Sequence, residues 1–480
     1  MLSSLATPPT PAMPPPCDGL MRDSTTVWTS LGPSAADTPP PEEVTEEFFH
    51  NTTTTTTSCS TTTHGSQLDL DLNPVSDTET PVVAVIGVGY VGLHLVTTFA
   101  AASFAVLAYD VSAKRLAALA ADVLTPDAYP SVALTSTPAD LRRATHFLVA
   151  VPTTLLLPDK RVDTSFVRAA LATVGTYARP GATVVVESSV GVGMTRRLLG
   201  NLMRSRNLKA GMSPERVDPG RQSPPVSHIP KLISGLDDIT PGSLASIHTL
   251  YAAAFGHVVA VSSPEVAEMT KLYENCQRMV NIAYANEMAD ACAGLGIDAH
   301  EVAAAAATKP FGFAPYAPGL GVGGHCIPVN PYYLLESCEF PLLRHAAEKM
   351  WRRPAEVGER AMREVCGRKG EGEGIKGAWP AAVLVVGVGF KPGQSVLSCS
   401  PGIALMKYLL QEWDVEVVFA DPLVGEEQVP FAPRLDVERE WSVEGLGRFD
   451  LIVVAIRQHG LDFRVLGELG ENVMVKWCCA

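Results

Sequence analysis

The chain has 480 residues, of which 46% are hydrophobic, and its formal net charge at pH 7 is −14. That length predicts two to four domains with sizeable apolar cores. The negative charge argues against a nucleic-acid partner held by a basic surface. No apolar run reaches the ~18 residues of a membrane span. The N-terminus also lacks the basic region and apolar run of a secretory signal.

The number and spacing of the cysteines indicate the redox state of the cellular compartment. Ten of them stand at irregular spacings, with no CxxC pair. This pattern favours a reducing environment over a disulfide framework. We therefore expect a cytoplasmic protein that has no membrane partner and binds no metal ion.

Residues 1 to about 80 are rich in proline, threonine and serine, and include the run Thr52 to Thr57. Because apolar periodicity is missing, this segment cannot bury enough surface to offset the entropy that ordering would remove. We predict a disordered tail over residues 1–80.

A dinucleotide-binding fingerprint follows the tail. An apolar strand from residue 81 leads into Gly87, Gly89 and Gly92 and then into a helical pattern, and Asp110 ends the next apolar run. Strand, tight turn, helix and acidic residue in this order are typical of a Rossmann unit. The glycines let a pyrophosphate approach the helix N-terminus. The pattern therefore favours a nicotinamide cofactor over a plain glycine turn.

Two residues bear on which cofactor binds. Asp110 is placed to accept hydrogen bonds from the adenosine ribose, which favours NAD over NADP. Arg115 leaves NADP open at this point, because an arginine can also meet a 2′-phosphate. NAD is the cofactor that we predict.

Further apolar runs, at 146–153 and 182–190, predict strands of a parallel sheet. Ligands of such sheets bind beyond the carboxyl ends of the strands. Thr153 and Ser189 lie there and can meet the nicotinamide or its ribose, although serine and threonine are also ordinary turn residues.

Several charged residues follow the same strands. Glu187 lies at the end of the second run. A polar loop, "SPERVDPG", then contains Glu215 and Arg216, and Lys231 comes after that loop.

A long helix is predicted next. Ser263 can cap it, Pro264 suits its first position, and Glu265 complements the helix dipole. The pattern continues to about Gly294 without proline or glycine in its interior.

This helix carries a polar stripe. Lys271, Asn275 and Arg278 are three to four residues apart and so share one face. A solvated stripe is the commoner meaning of such a pattern. A buried stripe is the alternative, since a buried lysine and asparagine can hold a developing alkoxide and an ordered water. The other face carries Val266, Met269, Val280 and Ala283.

A glycine-rich loop, "GLGVGGHC", ends at Cys326. Glycine lets a backbone turn sharply and lets a ligand come close. The loop therefore presents Cys326 to a bound molecule, or else holds it as an inert buried residue. Upstream of the loop, Phe311 and Tyr316 can pack on a ring of a ligand or belong to the core.

The first pattern recurs near the C-terminus. After a helical stretch from Leu343 to Arg368 and a glycine-rich linker, an apolar strand leads to Lys391, and a later strand ends at Asp421. Pro392 occupies the position of the third fingerprint glycine. We therefore predict a second Rossmann-like unit that does not bind a dinucleotide.

Together these segments resemble the UDP-glucose/GDP-mannose dehydrogenase family over residues 81 to about 465. The stretches "GVGGHCIPVNPYYL", "SPERVDPG" and "EMTKLYENCQRMVNIAYANE" are most similar to the branch that oxidises UDP-N-acetylglucosamine or UDP-N-acetylmannosamine. The UDP-glucose branch usually has a serine where His325 stands.

The resemblance implies an α/β fold with two Rossmann-like parallel-sheet domains, joined by a central helical segment that forms a homodimer or higher homo-oligomer. It implies an NAD-binding domain at 81–262, a central domain with the cysteine loop at 263–367, and a UDP-binding domain at 378–480. A UDP-sugar is the implied substrate.

The resemblance also implies a mechanism. A sugar alcohol loses hydride to NAD, the Cys326 thiolate traps the aldehyde, a second hydride loss leaves a thioester, and water releases a uronate. Lys271 would stabilise the oxyanion, and Asn275 would orient the water. Glu215 would lie near the substrate. The residues implied to bind the substrate are Arg216, Arg278, Phe311, Tyr316, Gly323 and Lys391.

Three departures from the family pattern stand out. The family has an aspartate at the catalytic position of Asn330, and an amide cannot take a proton at neutral pH. Val396 and Ser398 replace an acid and an arginine of the C-terminal motif, and serine cannot supply a bidentate cation. The end of the chain lacks the family's Asp and Arg.

Three interpretations follow. The first is an active NAD-dependent nucleotide-sugar dehydrogenase. The second, which Asn330 and Ser398 suggest, is an impaired relative that binds nucleotide sugar or pairs with an active subunit without turnover. The third is a two-electron 3-hydroxyacid or 6-phosphogluconate dehydrogenase, which leaves Cys326 and the C-terminal unit unexplained.

Overall fold

The computed structural model describes residues 73–76, 78–217, 228–368 and 381–479. The predicted disordered tail falls almost wholly outside these residues. The predicted glycine-rich linker and the end of the polar loop after Val217 also lie outside them. No helix of the described part is long and apolar enough to cross a membrane.

The N-terminal unit alternates strands and helices. In chain order its elements are β1 (Val82–Ile86), α1 (Tyr90–Ala101), β2 (Ala105–Tyr109), α2 (Ala113–Asp122), β3 (Val132–Thr135), β4 (His146–Val149), β5 (Thr154–Leu156), β6 (Arg161–Asp163), α3 (Ser165–Tyr177), β7 (Thr183–Val186), α4 (Met194–Arg206), β8 (Lys209–Met212), β9 (Lys231–Gly235), α5 (Ser243–Ala254) and β10 (Val258–Ala260).

Eight of these strands form one sheet in the order β10-β9-β8-β7-β4-β1-β2-β3. Neighbouring strands are parallel, except that β9 runs antiparallel to β8. Helices cover both faces, so the strands are continuous apolar runs. In β1, Ala84 and Ile86 pack into one core, and Val83 and Val85 pack into the other. β5 and β6 form a separate antiparallel hairpin.

The central unit is helical. It consists of α6 (Pro264–Gly294), α7 (Ala299–Ala307), α8 (Asn330–Leu335) and α9 (Pro341–Arg368). The predicted start of α6 is confirmed, because Ser263 caps the helix by accepting a hydrogen bond from the Val266 N–H. Its predicted end at Gly294 is also confirmed. Leu272 and Met279 of α6 pack against Tyr333 of α8 and Met350 of α9.

The long helix reverses the usual exposure of an amphipathic helix. Lys271 and Asn275 are only 8% and 0% exposed, so the interpretation of a solvated polar stripe was wrong. Of the residues predicted on the apolar face, Ala283 is buried in the core. Val280 is partly buried and packs against the core of the central unit. The remaining side of the helix exposes a stripe of large apolar side chains, made of Val266, Met269, Tyr273, Tyr284 and Met288.

The C-terminal unit repeats the Rossmann pattern on a smaller scale. Its elements are β11 (Ala381–Val386), α10 (Pro401–Glu412), β12 (Val415–Ala420), α11 (Val437–Glu440), α12 (Val443–Leu446), β13 (Leu451–Val454) and β14 (Met474–Trp477). The sheet order is β12-β11-β13-β14, with every pair parallel. The predicted α/β class, with two Rossmann-like units and a helical segment between them, is confirmed.

Candidate active site

The fingerprint turn has the geometry that a dinucleotide needs. Gly87 has φ +88°, and a Cβ on Gly92 would lie 1.8 Å from the Gly87 carbonyl oxygen, so α1 can pack against the turn only with glycine there. A Cβ on Gly89 would meet nothing within 4 Å, which leaves open space beside the helix. α1 has no side-chain cap and no acidic residue in its first turn. Its N-terminus therefore suits a pyrophosphate.

Asp110 follows β2 beside this turn. Its carboxylate accepts hydrogen bonds from the backbone N–H of Val88 at 2.8 Å and of Ser112 at 2.9 Å. These bonds fix the carboxylate at the edge of the open space where a ribose would bind. Arg115 lies half-buried in the first turn of α2, on the same side of the turn. The residues present thus fit NAD.

Three hydroxyl side chains follow the carboxyl ends of β4 and β7. The Ser188 hydroxyl donates to the carbonyls of Val149 and Val151, at 3.2 and 2.7 Å, and so ties the two strand ends together. Thr153 and Ser189 are half-buried beside it. Both keep their predicted position at the carboxyl edge of the sheet.

The cysteine loop is shaped by its contacts with the C-terminal unit. A Cβ on Gly323 would lie 2.8 Å from the Phe390 Cβ, and one on Gly324 would lie 2.9 Å from the Phe390 ring. Gly324 also has φ +93°, and its N–H donates to the Ser398 carbonyl at 2.8 Å. The predicted contact of Gly323 with substrate stays a prediction. These glycines are required because the two units pack closely here.

Cys326 is exposed at the end of this loop. Its carbonyl accepts the N–H of Asn330 at 2.9 Å, so it stands one turn before α8. The sequence left open whether this cysteine is inert and buried. In the structure this cysteine is exposed and not buried.

A buried polar group faces Cys326 from α6. Asn275 donates to the side-chain oxygen of Asn330, and Arg278 donates to the side-chain oxygen of Asn275. Burial lowers the pKa of Lys271, and this shift is opposed by the nearby Cys326 thiol and Glu215 carboxylate. The structure thus places Lys271, Asn275, Asn330 and Cys326 near one another, and their catalytic roles stay a prediction.

Glu215 belongs to a charge cluster that the sequence did not indicate. The Lys231 ammonium lies 2.6 Å from Glu187 Oε2 and 3.2 Å from Glu215 Oε2. All three side chains are buried. The pairing was missed because only the reversal of β9 brings its first residue to the edge where β7 and β8 end.

Arg216 has protein partners of its own. Its Nε and Nη2 donate to Glu274 Oε1 at 3.0 and 2.6 Å, and Nη1 donates to the Pro230 carbonyl at 2.9 Å. This side chain joins the polar loop to α6. Its predicted contact with substrate stays a prediction.

Three further residues were predicted to bind substrate. Phe311 is 71% exposed, with the Lys309 ammonium 5.1 Å from its ring centre, so it is not part of the core. Tyr316 is half-buried in the same segment. Lys391 is half-buried in the loop after β11, next to the Phe390 that contacts the cysteine loop. The predicted contacts of all three with substrate stay predictions.

The second Rossmann-like unit differs from the first at its acidic residue. Asp421 is 0% exposed, and its Oδ2 accepts from the N–H groups of Val388 and Gly389 and from Gln458 Nε2. Its Oδ1 accepts the N–H of Leu423 at 2.9 Å. Asp421 is therefore more deeply buried than Asp110, which is 8% exposed. That this unit does not bind a dinucleotide stays a prediction. Across the described ranges, no group of three or more His, Cys, Asp or Glu side chains is placed to hold a metal ion.

Family comparisons agree with this geometry. The NAD binding domain of the UDP-glucose/GDP-mannose dehydrogenase family matches residues 82–254, and the central domain of that family matches residues 265–350. The UDP-N-acetyl-D-mannosamine dehydrogenase of Pyrococcus horikoshii is 30% identical over 362 residues, which are 71% of this chain and 84% of that protein. The chain belongs to the UDP-glucose/GDP-mannose dehydrogenase family.

Other members of this nucleotide-sugar dehydrogenase family cover even more of the chain. The UDP-N-acetyl-D-glucosamine 6-dehydrogenase of Pseudomonas aeruginosa is 30% identical over 419 residues, which are 82% of this chain and 93% of that protein. The solved structure of Pyrococcus horikoshii UDP-D-ManNAc dehydrogenase has a TM-score of 0.71 at 25% identity, covering 83% of this chain and 95% of that chain. Family membership confirms NAD as the cofactor and replaces the 3-hydroxyacid or 6-phosphogluconate dehydrogenase interpretation.

Proposed function

We propose that the chain is an NAD-dependent UDP-sugar 6-dehydrogenase that oxidises the C6 alcohol of a UDP-hexose or UDP-hexosamine to the uronate. One observation carries the proposal. Cys326 is exposed and lies close enough to the buried ammonium of Lys271 for the two groups to interact electrostatically, in a loop that packs against the C-terminal unit. In the proposed reaction the sulfur of Cys326, as a thiolate, is the nucleophile.

Each of the three residues at this site has a role in the proposed reaction. Lys271 stabilises the alkoxide of the alcohol and then the oxyanion formed when Cys326 attacks the aldehyde. The Cys326 sulfur forms a thiohemiacetal and, after the second oxidation, a thioester. Asn275 holds the water that attacks the thioester, which releases the uronate and returns the thiol.

The reaction balances as one alcohol and one water converted to one carboxylate, with loss of two hydrides and three protons. When bound, NAD accepts one hydride in each oxidation. The chain supplies the positions: Asp110 and the fingerprint glycines hold the cofactor, and Thr153 and Ser189 lie at the strand ends where its nicotinamide half is expected.

The sugar is proposed from the cysteine loop and the relatives. The relatives named above act on UDP-N-acetyl-D-mannosamine and UDP-N-acetyl-D-glucosamine. His325 stands next to Cys326, where the resemblance to the UDP-glucose branch leads us to expect serine. We therefore propose a UDP-N-acetylhexosamine as substrate, with UDP-glucose as the competitor to be tested.

We also propose the division into an NAD-binding domain at 81–262, a central domain at 263–367 and a UDP-binding domain at 378–480. Lys391, in the loop after β11, is the proposed contact from the last domain to the UDP-sugar. The protein is proposed to be cytoplasmic, since its cysteines show no disulfide pattern.

A homodimer is proposed because α6 leaves a stripe of large apolar side chains uncovered. Tyr273 and Tyr284 are 70% and 63% exposed on this stripe. Exposed patches of this kind mark interaction surfaces. A second copy of the helix, packed against the first, would cover the stripe.

The second candidate function is nucleotide-sugar binding without efficient turnover. Asn330 favours it, because its buried amide accepts a hydrogen bond from Asn275 but cannot carry a proton during the reaction. NADH formation with UDP-N-acetylglucosamine, UDP-N-acetylmannosamine and UDP-glucose separates the two candidates. Formation of NADH with any of these sugars supports the dehydrogenase. Tight binding of the sugars without NADH supports the binding protein.

A further inference from the structure

Four alternating charges connect the sheet of the NAD-binding unit to Cys326. Glu187 follows β7, Glu215 follows β8 and Lys231 begins β9. The Lys231 ammonium bridges the two carboxylates at 2.6 and 3.2 Å, and the Glu215 charge acts in turn on Lys271 of α6. Their order, from the sheet to the cysteine, is negative, positive, negative, positive.

This row is held rigidly. Glu187, Lys231 and Glu215 are 1%, 4% and 7% exposed, so removing one partner would leave a buried charge without compensation. The second oxygen of Glu187 accepts from the Tyr251 hydroxyl. The second oxygen of Glu215 accepts the N–H groups of Arg216 and Val217, at 2.6 and 2.8 Å. Both carboxylates are thus fixed in direction.

The other groups that face Glu215 cannot replace Lys231. His94 of α1 lies near Glu215 and Lys231, but its buried Nε2 has no hydrogen-bond partner in the described part of the chain. Burial lowers the pKa of His94, which favours the neutral imidazole. Arg216 points away, to Glu274. On the sheet side, Lys231 is therefore the cation that balances Glu215.

We propose that Lys231 is a positioning residue of the dehydrogenase site: its ammonium, 3.2 Å from Glu215 Oε2, holds the Glu215 carboxylate in the row of charges that leads to Lys271 and Cys326. Glu215 then acts as a fixed anion and not as a proton acceptor. This inference rests on the proposed function, since it assigns a task to a residue only within that reaction.

The titration of the cluster agrees with the geometry. Burial acts to raise the pKa of Glu215, but the Lys231 charge, followed by nearby His94 and the hydrogen bonds to the carboxylate, lowers it to about 2. Burial raises the pKa of Glu187, and the two carboxylates raise the pKa of Lys231 against its own desolvation. A carboxylate with so low a pKa is a weak base at neutral pH, so its contribution is electrostatic.

The test compares Lys231→Met with Lys231→Arg, and uses Lys407→Met, an exposed lysine of α10, as the control. Without the Lys231 charge, the pKa of Glu215 rises and the carboxylate becomes protonated as pH falls. We expect kcat of Lys231→Met to fall roughly 10²-fold at pH 6, as when a preorganised electrostatic contact is lost. The deficit should shrink by roughly 10-fold or more at pH 9, because one pKa unit changes the ionised ratio tenfold.

Two results would overturn the proposal. One is a deficit of the same size at every pH, which is what a merely structural role produces. The other is a Lys231→Arg variant as impaired as Lys231→Met, since arginine restores the charge. If Lys231→Met does not fold, Glu187→Gln takes its place. That variant leaves Glu215 as the sole carboxylate partner of Lys231 in the row. The pH at which its kcat begins to fall on the acidic side should therefore be the same as in the parent. A shift of that pH to a higher value contradicts the proposal.

A second readout needs no substrate. In the parent, the depressed pKa of Glu215 gives stability that is present above the carboxyl's unfolded pKa and is lost only as pH falls through about 2. In Lys231→Met the raised pKa reverses the sign, so the folded chain gains stability as pH falls. The gap in Tm between parent and variant should therefore shrink from pH 8 to pH 5. A shrinking gap without oxidation of any UDP-sugar contradicts the proposed function alone, and a constant gap contradicts the role of Lys231.

Discussion

Asn275 of α6 donates a hydrogen bond to the side-chain oxygen of Asn330, at the start of α8. Both side chains are buried, at 0% and 1% exposed. An aspartate at position 330 would accept the same hydrogen bond, and it could also take a proton. This one pair therefore preserves the orientation of Asn275 while it lacks the proton transfer that the family's aspartate is thought to assist.

Asn330→Asp should raise turnover. The carboxylate would accept the hydrogen bond from Asn275 as the amide does, and it would add a proton acceptor near Cys326. A positioned acid or base is worth about 10²-fold or more in rate. Steady-state NADH formation at saturating UDP-N-acetylglucosamine and NAD measures the change. Asn472→Asp, on the exposed surface of the C-terminal unit, is the control. An unchanged or lower rate in Asn330→Asp would show that residue 330 does not limit proton transfer.

The sequence predicted α6 well because its signals are local. Ser263 and Pro264 fix the start, and the pattern has no breaker before Gly294. The burial of Lys271 and Asn275 depends instead on where α8 and the cysteine loop pack, which no spacing within α6 determines. The same applies to the contact of Gly323 with Phe390, which is 67 residues away along the chain and which no local pattern around Gly323 indicates.

The buried charges show the limit of sequence analysis more sharply. Glu187 and Glu215 follow strands that were predicted, but Lys231 reaches them only because β9 runs against β8. A reversed strand in an otherwise parallel sheet has no signature in the run "KLISG". Exposure was also unpredictable for Phe311, since an aromatic residue near a glycine-rich loop suits a core equally well.

Asp110→Ala should weaken NAD binding far more than UDP-sugar binding. The variant removes the carboxylate that the ribose would meet, and also the two hydrogen bonds that hold the turn at Val88 and Ser112. A hydrogen bond to a charged group contributes about 1.5–3 kcal/mol, or roughly 10- to 10²-fold in Kd. Titration calorimetry with each ligand measures the difference. Asp122→Ala, at the exposed end of α2, should bind NAD as the parent does, and an equal loss in both variants would refute the assignment.

Lys271→Met should abolish turnover and yet raise stability. Burial lowers the pKa of Lys271 from 10.5, so the folded chain carries a penalty for the ammonium that methionine does not have. Removing it should add about 1 kcal/mol at pH 7. As pH rises through the lowered pKa, the unfolded chain binds more protons, and the parent gains stability relative to the variant. Urea unfolding at pH 7 and pH 10 checks this. A variant less stable than the parent at pH 7 contradicts the penalty.

Tyr284→Asp should dissociate the proposed homodimer. The substitution places a charge on the exposed apolar stripe of α6, where a second copy would desolvate it. Sedimentation velocity across a range of concentrations should show a dimer for the parent and a monomer for the variant. Leu410→Asp, at an exposed position of α10, is the control and should sediment as the parent. If the parent sediments as a monomer at all concentrations, the homodimer proposal is wrong and the stripe contacts a different partner.

The stoichiometry of NADH, measured together with the mass of the Cys326 peptide, tests the central claim most directly. With a limiting amount of UDP-N-acetylglucosamine or UDP-N-acetylmannosamine, the account predicts two NADH for each uronate formed and a sugar thioester on Cys326 in quenched samples. Cys326→Ser should release no uronate, because a serine alkoxide is scarce at neutral pH. Cys338→Ser, which alters another exposed cysteine, should behave as the parent. One NADH for each sugar with a free aldehyde as product, or full uronate formation by Cys326→Ser, would contradict covalent four-electron oxidation.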